Sequence, residues 1–410
     1  MFDPYKVRQD FPMFKNKTQM QGHDLVFLDN ASTTFKPQCV IDAMNYYNEH
    51  ETANSARGDY DTVYHVDQTV QKTRQLVADF INADVNEIVF TSGATASLNL
   101  VAFGYFAYHL KKDDEILITV AEHASNTLPW YKLQESIGCK VKFIPLTDEG
   151  RLTVENVEKA ITKNTKVIAV ANITNVLGFY TDLKPICDLA HKHGILVVCD
   201  GAQSVPHVKT DVKALDVDFL GFSGHKMLGP TGIGVLFGKK ELLAETQPLF
   251  YGGGMNEVFE MDGSYVLHSA PKKLECGTEN IQGIYGLGVA IEYINKLGIE
   301  VISKYEKELR AYALAKMKEI KDVIIYNETA ESGIISFNVK GVFAQDLATL
   351  LNSKGIAVRS GNHCAKNLKN QIHEIATVRC SLYFYNTKEE IDIFVDALKE
   401  GGNFLDAYFA

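Results

Sequence analysis

A lysine and an aspartate each follow a strongly apolar stretch of the sequence, in positions where their charges need partners. Lys226 ends SGHK, directly after the run VDFLGFS (217–223), and Asp200 ends the run ILVVCD (195–200). Most lysines are solvated surface charges, but the apolar run and the adjacent hydroxyl and imidazole favour a partly desolvated amine that can bind a carbonyl compound covalently. A buried carboxylate needs a cation such as a protonated pyridine nitrogen, although a helix cap or an ion pair more often explains a single Asp.

Two other motifs after apolar runs add an anion site and an imidazole. The turn SGAT (92–95) opens a helix, so its backbone N–H groups and the Thr95 hydroxyl suit a phosphate, although an ordinary helix cap looks the same. His123 follows EILITVA (115–121), and its ring suits stacking on an aromatic cofactor and acid–base chemistry, although a packed histidine is commoner. A phosphate site, an aspartate, an imidazole and a lysine at successive strand ends together indicate pyridoxal 5'-phosphate (PLP).

One of the seven cysteines has neighbours that favour an activated nucleophile. Cys364 lies beside His363, closely follows Arg359, and precedes Arg379 on the next predicted strand. A single free cysteine is most often an inert buried thiol, and this interpretation is kept for the other six, at positions 39, 139, 187, 199, 276 and 380. Cys187, His191 and His193 lack the fourth ligand of a zinc site, so they are interpreted as helix-surface residues and no metal site is predicted.

The elements that must position these residues read as a mainly parallel α/β sheet. Short apolar runs alternate with helical patterns between about residues 40 and 300, for example the helix over 65–81. Five runs are predicted strands: 87–92, 115–121, 166–174, 195–200 and 217–223. Because ligands of open α/β sheets bind beyond the carboxyl ends of the strands, the motifs that follow these runs are expected to share one site.

The pattern changes after about residue 300 to that of a smaller α+β unit. An amphipathic helix precedes strands VIIYN and GIISFNV, a helix over 344–354, strands IAVRSG and TVRCSLYFYN, and a final helix after Thr387. We therefore predict three parts: residues 1–20, a segment packing with the small domain; 21–295, a large PLP-binding domain; and 296–410, a small C-terminal domain carrying the Cys364 loop.

Composition narrows the class of protein. The 410 residues are 46% hydrophobic and 22% charged, which is typical of a soluble globular protein, and a net charge of −10 argues against nucleic-acid binding. We find no apolar stretch long enough to cross a membrane, and the first residues resemble neither a signal peptide nor an anchor. The cysteines form no C-x-x-C pair, which fits reduced thiols and predicts a cytoplasmic protein.

Motifs in order along almost the whole chain carry a family resemblance. LDNASTTFKP (28–37), FTSGATASLNLVA, AEHASNTLPW, NVLG (175–178), DGAQ and SGHKMLGPTGIG resemble the class V aminotransferase superfamily of fold-type I PLP enzymes. RSGNHC (359–364) and VRCSLYFYNT (378–387) are similar to the group II (SufS-like) cysteine desulfurases. The resemblance implies a fold-type I PLP-dependent transferase, whose large domain has a mainly parallel seven-stranded sheet and is joined to a smaller α+β C-terminal domain.

The resemblance also implies roles toward the cofactor. Lys226 would hold it covalently, Asp200 would pair with the pyridinium nitrogen, Gln203 would contact the ring oxygen, and His123 would stack on the ring. The phosphate would be bound by Thr95, Ser223 and His225, and Ala94 would also contact the cofactor. Thr278 would reach the cofactor of the neighbouring subunit, which requires a homodimer with its active sites at the interface.

The implied reaction converts L-cysteine to L-alanine. Arg379 would bind the substrate carboxylate with help from Arg359 and Asn175, and the Cys364 thiolate would attack the substrate sulfur and keep it as a persulfide. Lys226 and His123 would move protons. A sulfur-acceptor protein of the SufU or SufE type, and possibly an iron–sulfur scaffold, would then take the sulfur for iron–sulfur cluster or other thio-cofactor assembly; no membrane or direct nucleic-acid partner is implied.

Other functions stay open at this point. Selenocysteine lyase activity is a close alternative, and another class V transaminase or lyase would give Cys364 no role. A non-enzymatic sulfur-assembly subunit is disfavoured because the catalytic set is present. Four residues depart from the family pattern and are expected to affect substrate preference and turnover: Ala56, Cys276, Glu279 and Asn362.

Overall fold

In the computed structural model, which describes residues 2–400, a seven-stranded sheet carries the predicted strand-end motifs. Its strands are β1 (Ile88–Thr91), β2 (Glu115–Ile118), β3 (Lys140–Phe143), β4 (Thr165–Ala171), β5 (Leu196–Asp200), β6 (Phe219–Ser223) and β7 (Gly234–Gly238). They lie in the order β1-β7-β6-β5-β4-β2-β3. Neighbours from β6 to β3 pair in parallel, whereas β7 runs antiparallel to β1 and β6. The predicted mainly parallel α/β sheet of seven strands is confirmed.

The five strands predicted from the sequence are all present, but two others are not among them. β3 is an edge strand with exposed lysines and therefore lacks an apolar run. β7 is fully buried, but in the sequence it merges with a glycine-rich turn. The predicted run 115–121 is too long, because the Thr119 hydroxyl accepts a hydrogen bond from the Ala121 amide (3.1 Å) and turns the chain out of the sheet.

Helices cover the sheet and connect its strands. The residues before β1 form helices Pro4–Arg8, Pro12–Lys15, Gln38–His50 and Asp61–Ile81, the last of which includes the helix predicted over 65–81. Between β1 and β7 the helices are Ala94–Asn99, continued by the π-helical Leu100–Phe106 and by Ala107–His109, then Leu128–Ile137, Val154–Ala160, Leu183–Lys192 and Val212–Leu215. After β7 come Lys240–Glu245 and Ile281–Leu297.

A second, antiparallel sheet lies near the C-terminal end of the chain. Its strands β8 (Val323–Ile325), β9 (Ile334–Val339), β10 (Arg359–Gly361) and β11 (Thr377–Ser381) are ordered β8-β9-β11-β10. Helices Ile299–Met317, Ala344–Ser353, Lys369–Ile372 and Lys388–Lys399 accompany it, and much of their apolar surface joins a separate core. The boundary at residue 295 stays a prediction, and the last residues of the predicted small domain, 401–410, lie outside the described part.

The first part of the chain, up to Phe27, contacts both sheets or their helices. The short strand Val26–Phe27 pairs in parallel with Ile356–Ala357, just before β10. Upstream, the Phe11 ring is fully buried and lies 5.0 Å from the ring of Tyr385 and 6.0 Å from that of Tyr293. Phe11 therefore anchors the segment on both a large-sheet helix and the chain that follows β11, while the assignment of residues 1–20 as a separate segment stays a prediction.

The cysteines only partly follow the sequence interpretation. All seven thiols are free, and Cys139, Cys187, Cys199 and Cys380 are buried. Cys39 is exposed and Cys276 is partly exposed, so for these two the prediction of a buried thiol is wrong. Cys187 is not on a helix surface but in the core, because its helix packs that face against the sheet. Among residues 2–400, no helix has the length and apolar character needed to cross a bilayer.

Removing the Phe11 ring tests this anchor. Phe11→Ala is expected to lower the free energy of unfolding by about 3–5 kcal/mol, because a large aromatic group leaves a cavity among rings that cannot fully close. Met13→Ala, in the same segment but 37% exposed, is the control and is expected to change it by only about 0.5 kcal/mol. Urea unfolding followed by circular dichroism measures both, and equal costs would contradict the anchoring role.

Candidate active site

A cavity of about 280 Å³ opens at the carboxyl ends of the parallel strands and faces the second sheet. Most of the residues predicted for the site line it: Ala94, Thr95, His123, Asn175, Asp200, Gln203, Ser223, His225, Lys226, Arg359, Cys364 and Arg379. Those of the large sheet come from strand ends or from the segments that follow them, as expected for a sheet of this kind. Arg359 and Arg379 lie instead within β10 and β11 of the second sheet, and Cys364 follows β10. The structure therefore brings together all the predicted residues except Thr278.

Lys226 and Asp200 occupy the ends of the adjacent strands β6 and β5. Lys226 lies in the short 3₁₀ turn Gly224–Lys226, where removal of its amine from water lowers the pKa to about 8, although Asp200 acts in the opposite direction. The Asp200 carboxyl is 6% exposed and accepts a hydrogen bond from the Ala202 amide (3.0 Å). An amine with this pKa releases its proton easily near neutral pH, which suits both covalent bonding and proton transfer.

The His123 ring is held in a defined orientation at the end of β2. Its Nδ1 accepts a hydrogen bond from the Ser125 amide (3.1 Å), and the Ser125 hydroxyl lies 3.0 Å from the same nitrogen. The neutral ring therefore carries its proton on Nε2. Burial lowers the pKa of His123, and Lys226 adds to this effect while Asp200 opposes it.

The predicted anion site forms at the carboxyl ends of β1 and β6, the two strands that flank β7 in the sheet. Gly93 has φ +147°, and the Ala94 amide at the helix start donates to the Ser223 hydroxyl (2.8 Å). The Thr95 and Ser125 hydroxyls lie 2.7 Å apart, so each has a lone pair or proton available to a ligand. Burial, followed by the charge of Lys226, lowers the pKa of His225 to about 4, so its imidazole is a neutral group at pH 7.

Two arginines of the second sheet meet at the opposite wall. Arg359 and Arg379 are direct partners in the β10–β11 pairing. Arg379 is 1% exposed and donates to the Asn175 carbonyl (2.9 Å), to the Ser32 hydroxyl (2.9 Å) and to Asp29 (3.1 Å). Arg359 donates to the same hydroxyl (2.9 Å). Two guanidinium groups against one carboxylate leave an excess of positive charge, which suits a small anion.

Cys364 lies on the loop after β10 with its thiol exposed. His363 and Cys364 have φ of +49° and +59°, a left-handed conformation that is costly for such residues and is concentrated at functional sites. Hydrogen bonds hold the loop: the Cys364 amide donates to Asn362 Oδ1 (3.1 Å), and its carbonyl accepts from the Ala124 amide (2.7 Å). Arg359 Nη2 lies 3.8 Å from the Cys364 sulfur.

His363 does not activate its neighbour in the way the sequence suggested. The ring is 3% exposed, and its Nε2 lies 3.0 Å from the Thr377 hydroxyl on β11. Burial, followed by the charges of Arg379 and Arg359, lowers its pKa to about 3. The imidazole is therefore neutral and holds the loop against the sheet, and the cation next to the sulfur is Arg359.

The cavity wall presents polar atoms that lack hydrogen-bond partners among residues 2–400. Four lining residues each have one buried atom of this kind: Asn175 Oδ1, Gln203 Oε1, His363 Nδ1 and Arg379 Nε. Gln203 spends its amide group on the Ala31 carbonyl (2.7 Å), so the atom left for a ring hydroxyl is the acceptor Oε1. Buried polar atoms are rarely left unsatisfied. This set, with an amine, a carboxylate and an anion site, fits the predicted cofactor and an amino-acid substrate.

Thr278 and most of the departures from the family pattern lie elsewhere. Thr278, Ala56 and Glu279 line a separate cavity of about 780 Å³, and Cys276 lines a third one. Burial, followed by Glu275, raises the pKa of Glu279 to about 8. Within one chain, Asn362 is the only one of the four departures near Cys364, so an effect of the other three on substrate preference needs a route outside this cavity.

Sequence reasoning missed the groups that hold the arginines and the imidazole. Ser32 joins both guanidinium groups and donates to Asp29 (2.7 Å), and Ser125 fixes the His123 ring. The signals were present, because Asp29 and Ser32 lie inside LDNASTTFKP and Ser125 follows His123 in AEHASN. A hydroxyl carries no charge and has many structural uses, so its type alone indicated no role.

The chain is similar over most of its length to known proteins. A family model described as aminotransferase class-V matches residues 26–394. A protein of Halalkalibacterium halodurans, named a probable cysteine desulfurase, is 40% identical over 399 residues, which cover 97% of each chain. A Staphylococcus aureus protein with the same name is 40% identical over 412 residues, covering 100% of this chain and 99% of its own.

Solved structures agree with this match. The cysteine desulfurase CsdA of Escherichia coli superposes with a TM-score of 0.91 at 34% identity, over 98% of this chain and 99% of that one. The cysteine desulfurase of Thermococcus onnurineus NA1 gives a TM-score of 0.92 at 37% identity, over 98% of each chain. With its sheet order, its strand-end site and these matches, the chain belongs to the aminotransferase class-V family.

Proposed function

We propose that this protein is a PLP-dependent cysteine desulfurase of the group II (SufS-like) type, which converts L-cysteine to L-alanine and keeps the sulfur as a persulfide on Cys364. The observation that carries the proposal is the position of that thiol. Cys364 shares one cavity with the desolvated amine of Lys226 and with the pair Arg359 and Arg379. A transaminase would need the amine and the anion sites but would have no use for the thiol. The full-length relatives named cysteine desulfurases support the same activity.

The cofactor would lie between the β-strand ends and His123. Bound PLP supplies a carbonyl for an amine and a ring that delocalises the electron pair left when the substrate loses its Cα proton. Asp200 would face the ring nitrogen, Gln203 the ring hydroxyl, and His123 one ring face. The phosphate would take hydrogen bonds from the ends of β1 and β6, through Ala94, Thr95, Ser223 and His225.

The substrate carboxylate would bind at the arginine wall. Arg379 would receive it through its fork, and its unpartnered Nε gives it a donor beyond those it uses within the protein. Arg359 and Asn175 complete the wall, since Asn175 Oδ1 lacks a partner while its amide group donates to the His363 carbonyl (2.8 Å). This arrangement would direct the thiol of the substrate toward the exposed end of the cavity, where Cys364 lies.

Two side chains would move protons and one would move sulfur. Lys226 Nζ, with a pKa of about 8, accepts the proton from the substrate Cα, and His123 Nε2 exchanges protons with the substrate or its thiol. The Cys364 thiolate attacks the substrate sulfur, so that an S–S bond forms as the C–S bond breaks. The electron pair of the broken bond remains on the substrate Cβ, which takes up a proton. Return of a proton to Cα then gives L-alanine.

We further propose a homodimer in which Thr278 reaches the cofactor of the neighbouring subunit. The hairpin formed by Asn256–Phe259 and Tyr265–Leu267 leaves Phe259 74% exposed and Val266 53% exposed in the single chain. Exposed apolar groups of this kind are typical of protein interfaces. Within its own subunit Thr278 lines a separate cavity and does not reach the cofactor site. In a dimer, Thr278 of one subunit would lie beside the cofactor of the other.

The persulfide would pass to another protein. We propose a SufU- or SufE-like acceptor, possibly with an iron–sulfur scaffold, in the cytoplasm. An exposed thiol on a loop between the two sheets is accessible to a second protein, unlike the buried Lys226 amine. Seven unpaired cysteines fit a reducing compartment. We also propose the division into residues 21–295 and 296–410, with the Cys364 loop on the smaller part.

Replacing Cys364 tests the nucleophile. Cys364→Ala is expected to lower the rate of alanine formation from L-cysteine at least about 100-fold, because no other thiol of residues 2–400 lines this cavity. Cys39→Ala, which removes another exposed thiol, is the control and should retain full activity. Mass spectrometry after reaction should find one added sulfur atom on Cys364 in the unmodified enzyme.

Full desulfuration of L-cysteine by Cys364→Ala would show that the nucleophile is assigned wrongly. Selenocysteine is a useful second substrate, since selenium leaves more readily than sulfur. Loss of activity on cysteine with retention on selenocysteine would indicate a lyase reaction on the same cavity. A keto acid in place of alanine would instead indicate transamination.

Replacing Lys226 tests the covalent bond to the cofactor. Lys226→Ala is expected to abolish the visible absorbance of the purified protein, because the amine is the group that bonds to the carbonyl of PLP. Lys36→Met is a matched control, since burial also lowers the pKa of Lys36 to about 8 but its amine donates to the Thr34 carbonyl (2.7 Å) outside the cavity. Lys36→Met should keep the visible absorbance. Absorbance that survives Lys226→Ala and is lost in Lys36→Met would show that Lys36, and not Lys226, binds the cofactor.

Replacing Arg379 tests the carboxylate site. Arg379→Lys keeps the charge but loses the fork, so we expect KM for L-cysteine to rise about 10- to 100-fold, the value of one or two charged hydrogen bonds. Arg151→Lys, at an exposed ion pair with Glu331, should leave KM unchanged. Steady-state kinetics with an absorbance spectrum of each variant measures this. A normal KM in a variant that retains the cofactor would exclude Arg379 from substrate binding.

A further inference from the structure

A buried carboxyl group lies next to His123 in the wall behind the cavity. Glu122 is 3% exposed, and its hydrogen-bond partners are neutral: the Thr119 hydroxyl lies 2.7 Å from Oε1, and the Asn126 amide donates to Oε2 (2.8 Å). These contacts link Thr119, just after β2, to the 3₁₀ turn Ala124–Asn126 that precedes the helix Leu128–Ile137, and the chain between them carries His123. The mechanism proposed above gives Glu122 no role.

The surroundings of Glu122 favour its neutral form. A carboxylate removed from water is costly unless a cation compensates it, and the charged group that acts on Glu122 most strongly is the carboxylate of Asp200 on β5. The Ala171 amide of β4 and the Asn126 amide oppose this effect. Cys199 also faces it from β5, but burial raises the pKa of that thiol well above its usual value, so it adds no charge. Burial and Asp200 together raise the pKa of Glu122 to about 8.

The hydrogen-bond geometry admits a proton on the carboxyl group. An O···O distance of 2.7 Å suits donation in either direction between Glu122 and Thr119. The Thr119 oxygen also accepts a hydrogen bond from the Ala121 amide (3.1 Å), so it already acts as an acceptor in this turn. A protonated Glu122 can therefore donate to Thr119 while its other oxygen accepts from Asn126.

We propose that Glu122 is protonated in the resting enzyme and is a positioning residue for His123, leaving Asp200 as the negative charge that faces the cofactor ring. The hydrogen bonds of Glu122 hold the turn that orients the imidazole. Because Glu122 carries a proton, it adds no second negative charge beside that of Asp200. The part that concerns His123 and Asp200 rests on the proposed function, whereas the protonation of Glu122 does not.

Loss of the Glu122 proton would change the charge next to His123 without a large movement of the side chains. A charged Glu122 would stabilise the protonated form of the neighbouring His123, since a negative charge favours a nearby positive one. His123 would then accept protons but release them less readily. We therefore expect kcat of the unmodified enzyme, divided by that of Glu122→Gln, to fall as the pH rises through about 8, since Glu122→Gln keeps a neutral side chain of the same shape. The ratio removes the titration of Lys226, which both proteins share.

The single tryptophan of the sequence reports on this cluster. Trp130 is fully buried, and its indole Nε1 donates to Asn126 Oδ1 (3.2 Å), the residue whose amide group binds Glu122. Ionisation of Glu122 strengthens its bond from Asn126 and places a charge near the indole ring. Fluorescence of the holoenzyme thus follows this carboxyl group directly and independently of any catalytic activity.

The first experiment titrates this fluorescence from about pH 6 to about pH 10. We expect a transition near pH 8 in the unmodified holoenzyme and in the control Glu135→Gln, which changes an exposed residue on the same helix as Trp130. The transition should be absent in Glu122→Gln. A transition that persists in Glu122→Gln, or none in the unmodified protein, would overturn the proposal.

Thr119→Val gives a second variant should Glu122→Gln fail to fold. It is nearly isosteric, and it removes a hydroxyl that donates to the charged form of Glu122. The midpoint of the fluorescence transition should therefore move to higher pH. A midpoint that stays in place or moves down would contradict the assigned proton. Absence of desulfurase activity would leave all of these titrations unchanged, so the two proposals fail separately.

The pH dependence of thermal stability is a further test, because a raised pKa of Glu122 determines the direction of the change in Tm. A raised pKa in the folded state means that folded protein binds more protons than unfolded protein between the ordinary pKa of Glu, 4.5, and about 8. Stability from this group is therefore present at low pH and lost as the pH rises. The Tm of Glu122→Gln minus that of the unmodified protein should increase from about pH 5 to about pH 8, while the difference for Glu135→Gln stays constant. A flat difference for Glu122→Gln would refute the proposal.

Discussion

The contacts of Arg379 are the constraint on which the rest of the site depends. Its guanidinium is 1% exposed, so its charge must be paired. It donates hydrogen bonds to Asn175, after β4, and to Asp29 and Ser32, which precede the large sheet in the sequence. Leaving a buried charge without its partner costs about 3–5 kcal/mol, so these three parts of the chain are held together at one point. The cavity exists because they meet there: the arginine closes one wall, and the carboxyl ends of the parallel strands form the other.

Burial and clustered positive charge have one common effect on the groups in this cavity. Desolvation is the largest cause that lowers the pKa values of Lys226, His225 and His363 to about 8, 4 and 3. Neighbouring cations lower all three further, while Asp200 opposes the shift at Lys226. The chain as a whole has a charge of −10, yet desolvation and the cavity's own cations disfavour further positive charge there, with Asp200 as the opposing group. Neutral imidazoles and an easily deprotonated amine follow from that environment, and so does affinity for a ligand with a phosphate and a carboxylate.

The sequence predicted the strand ends well because each is a local pattern. An apolar run followed by a polar residue identified Asp200, Lys226 and His123 without any knowledge of the fold, and the sheet places them together because it is parallel. Contacts between distant segments left no such pattern. Ser32 and Arg379 are 347 residues apart, and Asp29 and Arg379 are 350, so their pairing required the three-dimensional structure. The role of His363 was misjudged for the same reason, because its partner, Thr377, lies on another strand.

At one end of the cavity the Lys226 amine is removed from water, and at the other the Cys364 thiol is exposed to it. The proposed chemistry needs both. Proton transfer at Lys226 depends on desolvation, since the same amine in water would keep its proton at neutral pH. Delivery of sulfur depends on exposure, since a second protein has to reach Cys364. No regular element satisfies both demands within one small cavity. A loop with two residues in the left-handed conformation, fixed by the Ala124 amide on one side and by the neutral His363 on the other, holds an exposed thiol at the mouth of a cavity in which the Lys226 amine is desolvated.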